Sequence, residues 1–234
     1  MHKNNCFLYI ISMQGIQHQG SNAMYAGQGM DRGHLFAALT SSGLPQIAPN
    51  AQNAANSAHS TYQYTNAVPQ RPAFNRGEWR VWEGKIRTFA VNICIPAPGR
   101  LYLITGVSFV GITNANPPQA AQVPITTLPP VQQNNAATID IPNSMWTAAM
   151  CVDPQGGQAY SFAVIGNNVQ NRAAMYTQQI TVAQLEAILQ ADIGINNVKR
   201  KMGQEVNLFP GIRKPANYNN ELPEDPDPES PEEE

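Results

Sequence analysis

Four β-prone runs dominate the middle of the chain and leave it few ways to fold: Val91 to Ile95, Leu101 to Val110, Asn143 to Val152 and Gln158 to Ile165. Pro96-Ala-Pro-Gly99, a proline-rich excursion from Pro117 to Gln133, and Asp153-Pro-Gln-Gly-Gly157 cut them apart. Pro96–Gly99 reads as a turn between two strands, and residues 153–157 as the link within another strand pair. Helical patterns are predicted on either side, over about 75–87 and 182–189. The chain therefore reads as an α+β protein with an antiparallel central sheet. Its 234 residues suffice for one main domain with a real core, but not for two large ones. There is no internal repeat.

The segments ahead of this block are less regular. Residues 40–60 are small, polar and broken by Pro45 and Pro49, which predicts a long surface loop. Thr61 to Val68 alternates toward extended structure, and Pro69 and Pro72 end it before Phe74. Asn75-x-x-Glu78 has the spacing of a capping box, and Trp79, Trp82 and Ile86 follow at helical intervals, so the helix is expected to begin there.

Charged residues make up only 13% of the chain, so Asn and Gln take the place of surface charge in a loop-rich protein. The formal charge of -2 hides a division. Residues 221–234, ELPEDPDPESPEEE, hold eight of the sixteen acids and no base, which leaves eight acids against fourteen Lys and Arg before them, a body of about +6. Such a body is compatible with a polyanionic partner. Proline and mutually repelling carboxylates with little apolar surface predict a disordered tail, taken to start at 211. It serves solubility, or in a sharper reading competes with a polyanion for the basic body.

No run approaches the roughly 18 apolar residues that span a bilayer, and no membrane span is expected. Cys6 to Met13, with Lys3 ahead of it, has a faint likeness to a secretory signal but lacks a full apolar region and a clean cleavage site. Residues 1–30 read instead as a leader or as a remnant of a domain's N-terminal part. Cysteines at 6, 94 and 151 form no Cys-x-x-Cys pair and no zinc spacing. Cys94 and Cys151 lie at the ends of expected strands. They could meet as a disulfide in an oxidising compartment or remain two buried thiols.

Two segments carry chemistry. In Asp31-Arg32-Gly33-His34, the histidine can take a proton from water near neutral pH, and Arg32 offers a permanent forked charge to phosphate oxygens. Alone, those four residues are an ordinary surface sequence. Downstream, Asn75-Arg76-Gly77-Glu78-Trp79 and Glu83 add an amide and a carboxylate suited to a hard cation. On a regular helix Asn75 and Glu83 stand about 80° apart around the axis and ~12 Å along it, too far to ligate one bare ion together. Mg²⁺ keeps several waters, so Asn75 as direct ligand with Glu83 holding a water is a workable division. Taken by itself, the helix shows only a cap and a solvated face. Arg71, Arg76, Arg80, Lys85 and Arg87 around it form either an electrostatic track for nucleic acid or a plain solvated surface.

In this order the pieces resemble the DNA/RNA non-specific endonucleases of the His-Me finger (ββα-metal) superfamily, over about residues 30–210. DRGH looks like the family's catalytic signature, Thr65-Asn-Ala-Val-Pro-Gln70 like the strand before the metal helix, and Asn75 to Glu83 like that helix. Arg100-Leu-Tyr-Leu-Ile-Thr-Gly106 and Ile141-Pro-Asn-Ser-Met-Trp146 look like later strands. The wording NAVPQ, LYLITG and MWTAA is shared with endonuclease domain-containing 1 type proteins.

The resemblance implies hydrolysis of phosphodiester bonds in DNA and RNA without sequence preference, dependent on Mg²⁺ or another divalent cation such as Mn²⁺, leaving 5′-phosphate ends. It implies His34 as general base, Asn75 as metal ligand, Glu83 as holder of the metal's water shell, Arg32 as a phosphate-binding residue and Asn66 as a supporting polar group. Extracellular or secretory residence follows from it too. Relatives carry a longer segment before DRGH, often with a further arginine. Residues 1–30 contain no arginine and little strand pattern, so the domain, 31–210, is expected to be N-terminally truncated. Two classes of function stay open: a metal-dependent nuclease, or a catalytically impaired relative serving as a nucleic-acid-binding or protein-interaction module. His34, Asn75 and Glu83 together favour the enzyme.

Overall fold

The computed structural model describes residues 8–10, 22–38, 40, 50–63, 66–97, 99–128, 138–155, 159–196, 205–211 and 215–226. Its first elements are β1 (Leu8–Ile10), α1 (Asn22–Tyr25), β2 (Asp31–His34), α2 (Ala51–Thr61), β3 (Ala67–Gln70) and α3 (Arg80–Phe89). There follow β4 (Arg100–Ser108), the two-residue strands β5 (Gly111–Ile112), β6 (Ala120–Ala121), β7 (Thr126–Thr127) and β8 (Asp140–Ile141), and then β9 (Ser144–Val152) and β10 (Tyr160–Asn167). The described chain closes with β11 (Thr177–Ile180), α4 (Val182–Ile195) and β12 (Ala216–Asn217), giving an α+β fold. None of the described helices is long and apolar enough to cross a membrane.

The runs expected around 101–110, 143–152 and 158–165 form the middle of a six-stranded sheet ordered β1-β4-β9-β10-β11, with β12 also on β10. The pairs β4·β9, β9·β10 and β10·β11 are antiparallel, while β1 and β12 join parallel to their neighbours. Alternate residues of the long strands serve two different cores, as a period of two requires. On one face Leu103, Met145, Phe162 and Val164 meet Phe74, Trp79, Ile86 and Phe89 of the helical stretch containing α3. On the other, Ile104, Trp146, Ala163 and Ile165 meet Leu185, Ile188 and Leu189 of α4. Burial on both faces is why these strands read as nearly continuous apolar runs. Each fully buried large side chain contributes about 1.5–3 kcal/mol.

Several expectations change. Val91 to Ile95 is not a strand. Residues 74–94 form one helical stretch in which π turns, Phe74–Trp79 and Ala90–Cys94, flank α3. Strand propensity is a weak preference that packing overrides; here Ala90 and Cys94 are buried against the sheet. Cys94 is bonded to Cys151 of β9, so the two cysteines form a disulfide between helix and sheet. The helix also starts before Asn75, because the N–H groups of Phe74 and Asn75 both donate to the Arg71 carbonyl, at 3.0 and 2.9 Å. Pro72 lies in that first turn, where a missing N–H costs nothing.

The second half of the expected 40–60 loop is α2. The side chain of Asn50 caps it by accepting from the Asn53 N–H at 2.9 Å, and alanine favours the helical backbone that follows. Residues 41–49 lie outside the described residues. β1 falls in the segment expected to be a leader or remnant, and its backbone pairs in parallel with Leu103 to Thr105.

Residues 215–226, expected within the structureless tail, are packed on the domain. Tyr218 meets Phe89, Tyr160 and Phe162 edge-on or tilted, and Leu222 is buried in the core. These two apolar anchors supply what the acidic composition around them lacks. Residues 227–234 lie outside the described residues.

Candidate active site

β2 and β3 make a separate two-stranded antiparallel ladder that pairs Asp31 with Gln70, Arg32 with Pro69, Gly33 with Val68 and His34 with Ala67. Pro69 is tolerated because a two-stranded sheet consists only of edges. Past His34 the ladder is prolonged by Asn66. Its carbonyl accepts from the Leu35 N–H at 2.8 Å. Its side-chain Oδ1 accepts from the Phe36 N–H at 2.9 Å, and Nδ2 donates to the Phe36 and Thr61 carbonyls at 3.0 and 2.9 Å. Asn66 is buried, and its amide is taken up by backbone. It supports the strand that carries His34 and offers nothing to a substrate.

Gly33 explains the tight fit of the two strands. A Cβ there would lie 2.0 Å from Cδ of Gln70, whose side chain crosses β2 to donate Nε2 to the His34 carbonyl at 3.1 Å. Beyond β3, Asn168 ties the chain to the central sheet. It accepts from the Arg71 N–H at 2.8 Å and donates to the carbonyls of Pro69 and Pro142 at 3.0 and 2.9 Å.

Asp31 joins this ladder to the helix. Its Oδ2 accepts from Asn75 Nδ2 at 3.0 Å, and its two oxygens take a forked pair of bonds from Arg76 Nε and Nη2, both at 2.9 Å. Asn75 is thus a residue inside a helix, with its side chain held across to β2, rather than a cap. Because the NH₂ side of the amide is committed to Asp31, Oδ1 is the side left for a cation or water. The π turn changes the spacing as well. Bonds from residue i to i+5 widen the turn, so eight residues sweep less than the ~800° of a regular helix. The 80° expected of a regular helix therefore does not carry over to this stretch, and Glu83 is half-buried on the first turn of α3.

His34 stands at the far end of β2, about 10 Å from Asp31 along an extended strand. Its ring meets Tyr62 edge-on, centroids 5.0 Å apart and planes at 79°. Burial, and after it the Arg32 guanidinium, hold the imidazole below its ordinary pKa. Arg32 is exposed and donates to the Asn22 side chain. An open pocket of about 390 Å³, lined by Asn22, Tyr25, Met30, Asp31 and Arg32 among others, adjoins this half of the strand. His34 on β2 and Asn75 in the helical stretch stand on elements that Asp31 joins.

The expected basic track is only partly open. Arg71 and Arg80 are half-buried, and Arg76 is engaged by Asp31 while remaining largely exposed. Lys85 sits over Trp82, 4.8 Å from the ring centroid, and pairs with Glu224 at 2.7 Å. Arg87 pairs with Asp225 at 2.6 Å. Asp225 rests on the helix where Gly84 has no side chain, since a Cβ there would lie 2.3 Å from its carboxylate. Lys85 and Arg87 thus each pair with a carboxylate of the acidic C-terminal segment.

Among the described residues no group of three or more His, Cys, Asp or Glu could cage a metal ion. A hard cation such as Mg²⁺ needs only one or two protein oxygens and keeps its waters. Asn75 Oδ1 and the Glu83 carboxylate are oxygens of that kind. Asp31, Gln70, Tyr62 and Asn168 were not assigned roles from the sequence. Asp31 lay in plain view inside DRGH, and Gln70 inside NAVPQ. No local pattern marks Tyr62, whose ring meets His34 28 residues away, or Asn168, whose side-chain partners Pro142, Arg71 and Pro69 lie 26, 97 and 99 residues away.

A protein-family model described as DNA/RNA non-specific endonuclease matches residues 3–200. No curated protein matches. The matched span takes in β1 and so begins ahead of the domain start expected at residue 31.

Proposed function

The chain belongs to the DNA/RNA non-specific endonuclease family, and on that footing we propose that it hydrolyses phosphodiester bonds of DNA and RNA by the ββα-metal mechanism, with Mg²⁺ or a similar divalent cation. Asn75 Oδ1 would hold the cation and Glu83 would orient water beside it. When bound, the cation supplies positive charge to the scissile phosphate and the leaving oxygen. His34, kept neutral near pH 7 by its burial and by Arg32, accepts a proton from the attacking water. The water oxygen bonds to phosphorus, the bond from phosphorus to O3′ breaks, and O3′ takes a proton from solvent water, so the products are a 3′-hydroxyl and a 5′-phosphate. Arg32 offers its fork to the phosphate oxygens. Contacts of this kind read backbone charge and carry no sequence information.

The observation that carries this reading is the Asp31 clamp, which ties the strand bearing His34 to the helix bearing Asn75 and fixes which side of the Asn75 amide is available. The disulfide between Cys94 and Cys151 supports residence in an oxidising, secretory or extracellular compartment. Digestion of plasmid DNA and total RNA tests the proposal. Cutting is expected with Mg²⁺ or Mn²⁺, stopped by EDTA and by Asn75→Ala. Failure of the intact chain to cut either substrate with any divalent cation would overturn it and leave a binding module.

A further inference from the structure

Tyr62 is a large aromatic side chain kept at the surface beside the candidate general base. The residue is 55% exposed. Its ring lies edge-on to His34, and the ring of His59, on the last turn of α2, stands 6.2 Å beyond it. Backbone bonds rather than burial hold it there. The Tyr62 N–H donates to the His59 carbonyl at 3.2 Å, and the Asn66 N–H to the Gln63 carbonyl at 2.8 Å. Asn66 Nδ2 grips the Thr61 carbonyl from inside. The residue that pins β2 thus also pins the turn carrying Tyr62, and so fixes the ring relative to His34.

The surface leading up to this ring has an unusual composition for a site that meets a polyanion. Ala51 to Thr61, AQNAANSAHST, carries no Lys, Arg, Asp or Glu. Nucleic acid lying along α2 would gain nothing from ion pairing with its phosphates, whereas an exposed ring offers a surface to any base that can reach it. A base within a duplex is stacked on its neighbours and paired, and must leave that stack before it can meet a side-chain ring. In single strands it is already available, and stacking on aromatic side chains is the usual means of holding them.

We propose that Tyr62 is a stacking platform for an unpaired nucleobase next to the scissile phosphate, so that the site prefers single-stranded DNA or RNA to duplex. This deepens the nuclease reading and rests on it for the position of the phosphate, but it can be tested apart from cleavage. In EDTA, fluorescence anisotropy would follow the binding of a labelled single strand and of the same sequence as a duplex to the intact chain, Tyr62→Phe and Tyr62→Ala. Tyr62→Ala is expected to weaken single-strand binding by roughly 5- to 100-fold, with duplex binding changed less than about twofold, and Tyr62→Phe to bind as the intact chain does. The loss should persist as salt rises, because stacking releases no counterions. If the chain cuts, the same loss should appear in KM for the single strand, with kcat and its pH profile nearly unchanged. Equal losses on both substrates, no loss on the single strand, or a shifted pH profile with unchanged KM would each overturn the proposal, the last by showing that the ring only packs on His34. Absence of cutting would defeat the nuclease reading alone, since the anisotropy result decides the platform either way.

Discussion

The central sheet and the β2–β3 ladder are both built of β-strands, yet they are held together by different physics. In the sheet, β9 and β10 are buried almost from end to end, and their side chains fill two apolar cores. In the ladder, four-residue strands are positioned by single polar side chains that each bond to specific backbone or carboxylate groups: Asn66, Gln70, Asn168 and Asp31. Apolar burial is non-directional, so a sheet of this kind tolerates substitutions that keep volume and pattern. Hydrogen bonds are directional and leave buried groups unpaired when broken. Changes to the sheet should therefore move stability first, and changes to the ladder should move activity first.

The largest expected effect on the sheet side is loss of the disulfide. Closing a loop of 57 residues constrains the unfolded chain by on the order of 4 kcal/mol. The double substitution Cys94→Ala with Cys151→Ala should lower stability toward denaturant by an amount of that size, while the protein that remains folded cuts at its normal rate. An unchanged denaturation midpoint, or a rate lost before unfolding, would blur the distinction between the two regions. On the ladder side, Asp31→Ala should release Asn75 and Arg76 together. Supporting partners of metal ligands are worth about 10–100-fold in metal affinity or activity, so cation dependence should move to higher Mg²⁺ concentration with little change in melting temperature. If Mg²⁺ dependence stays put, the clamp has no bearing on the cation.

The smallest effect is a shift in pH dependence. Burial first and Arg32 second hold His34 below its ordinary pKa. A base works when neutral, so kcat/KM should be maintained above that lowered pKa and fall as pH drops through it, with the acid limb below about 6.5. Arg32→Gln removes only the second cause. The limb should move upward yet stay below the ordinary histidine value, because the burial remains. A limb that moves downward would mean that Arg32 does not act on His34 in this way.

The same contrast decides what could be read from the sequence. Leu101 to Val110, Asn143 to Val152 and Gln158 to Ile165 are legible because two-sided burial demands apolar residues throughout, and prolines and glycines bound them. Val91 to Ile95 deceives for the opposite reason, since its β-branched residues are overruled by the helix that packs Ala90 and Cys94 on the sheet. In the candidate site, DRGH and the Asn75 to Glu83 spacing single out the candidate residues. They do not show what holds them, because Asp31 to Asn75 and Gln70 to His34 are contacts across 44 and 36 residues. The packing of residues 215–226 is hidden by the charges around them, which mask the anchoring role of Tyr218 and Leu222. The ion pairs of Lys85 and Arg87 could not be read from the helix alone, because their partners lie beyond residue 220.

The central claim is that His34, at the end of a ladder set apart from the stabilising sheet, is the base of a phosphodiester hydrolase. Cleavage rate and melting temperature measured on the same preparation of His34→Ala test it most directly. The account predicts a loss of at least about 100-fold in rate with the melting temperature within a few degrees of the intact chain, and cutting by His34→Ala at the full rate would contradict it.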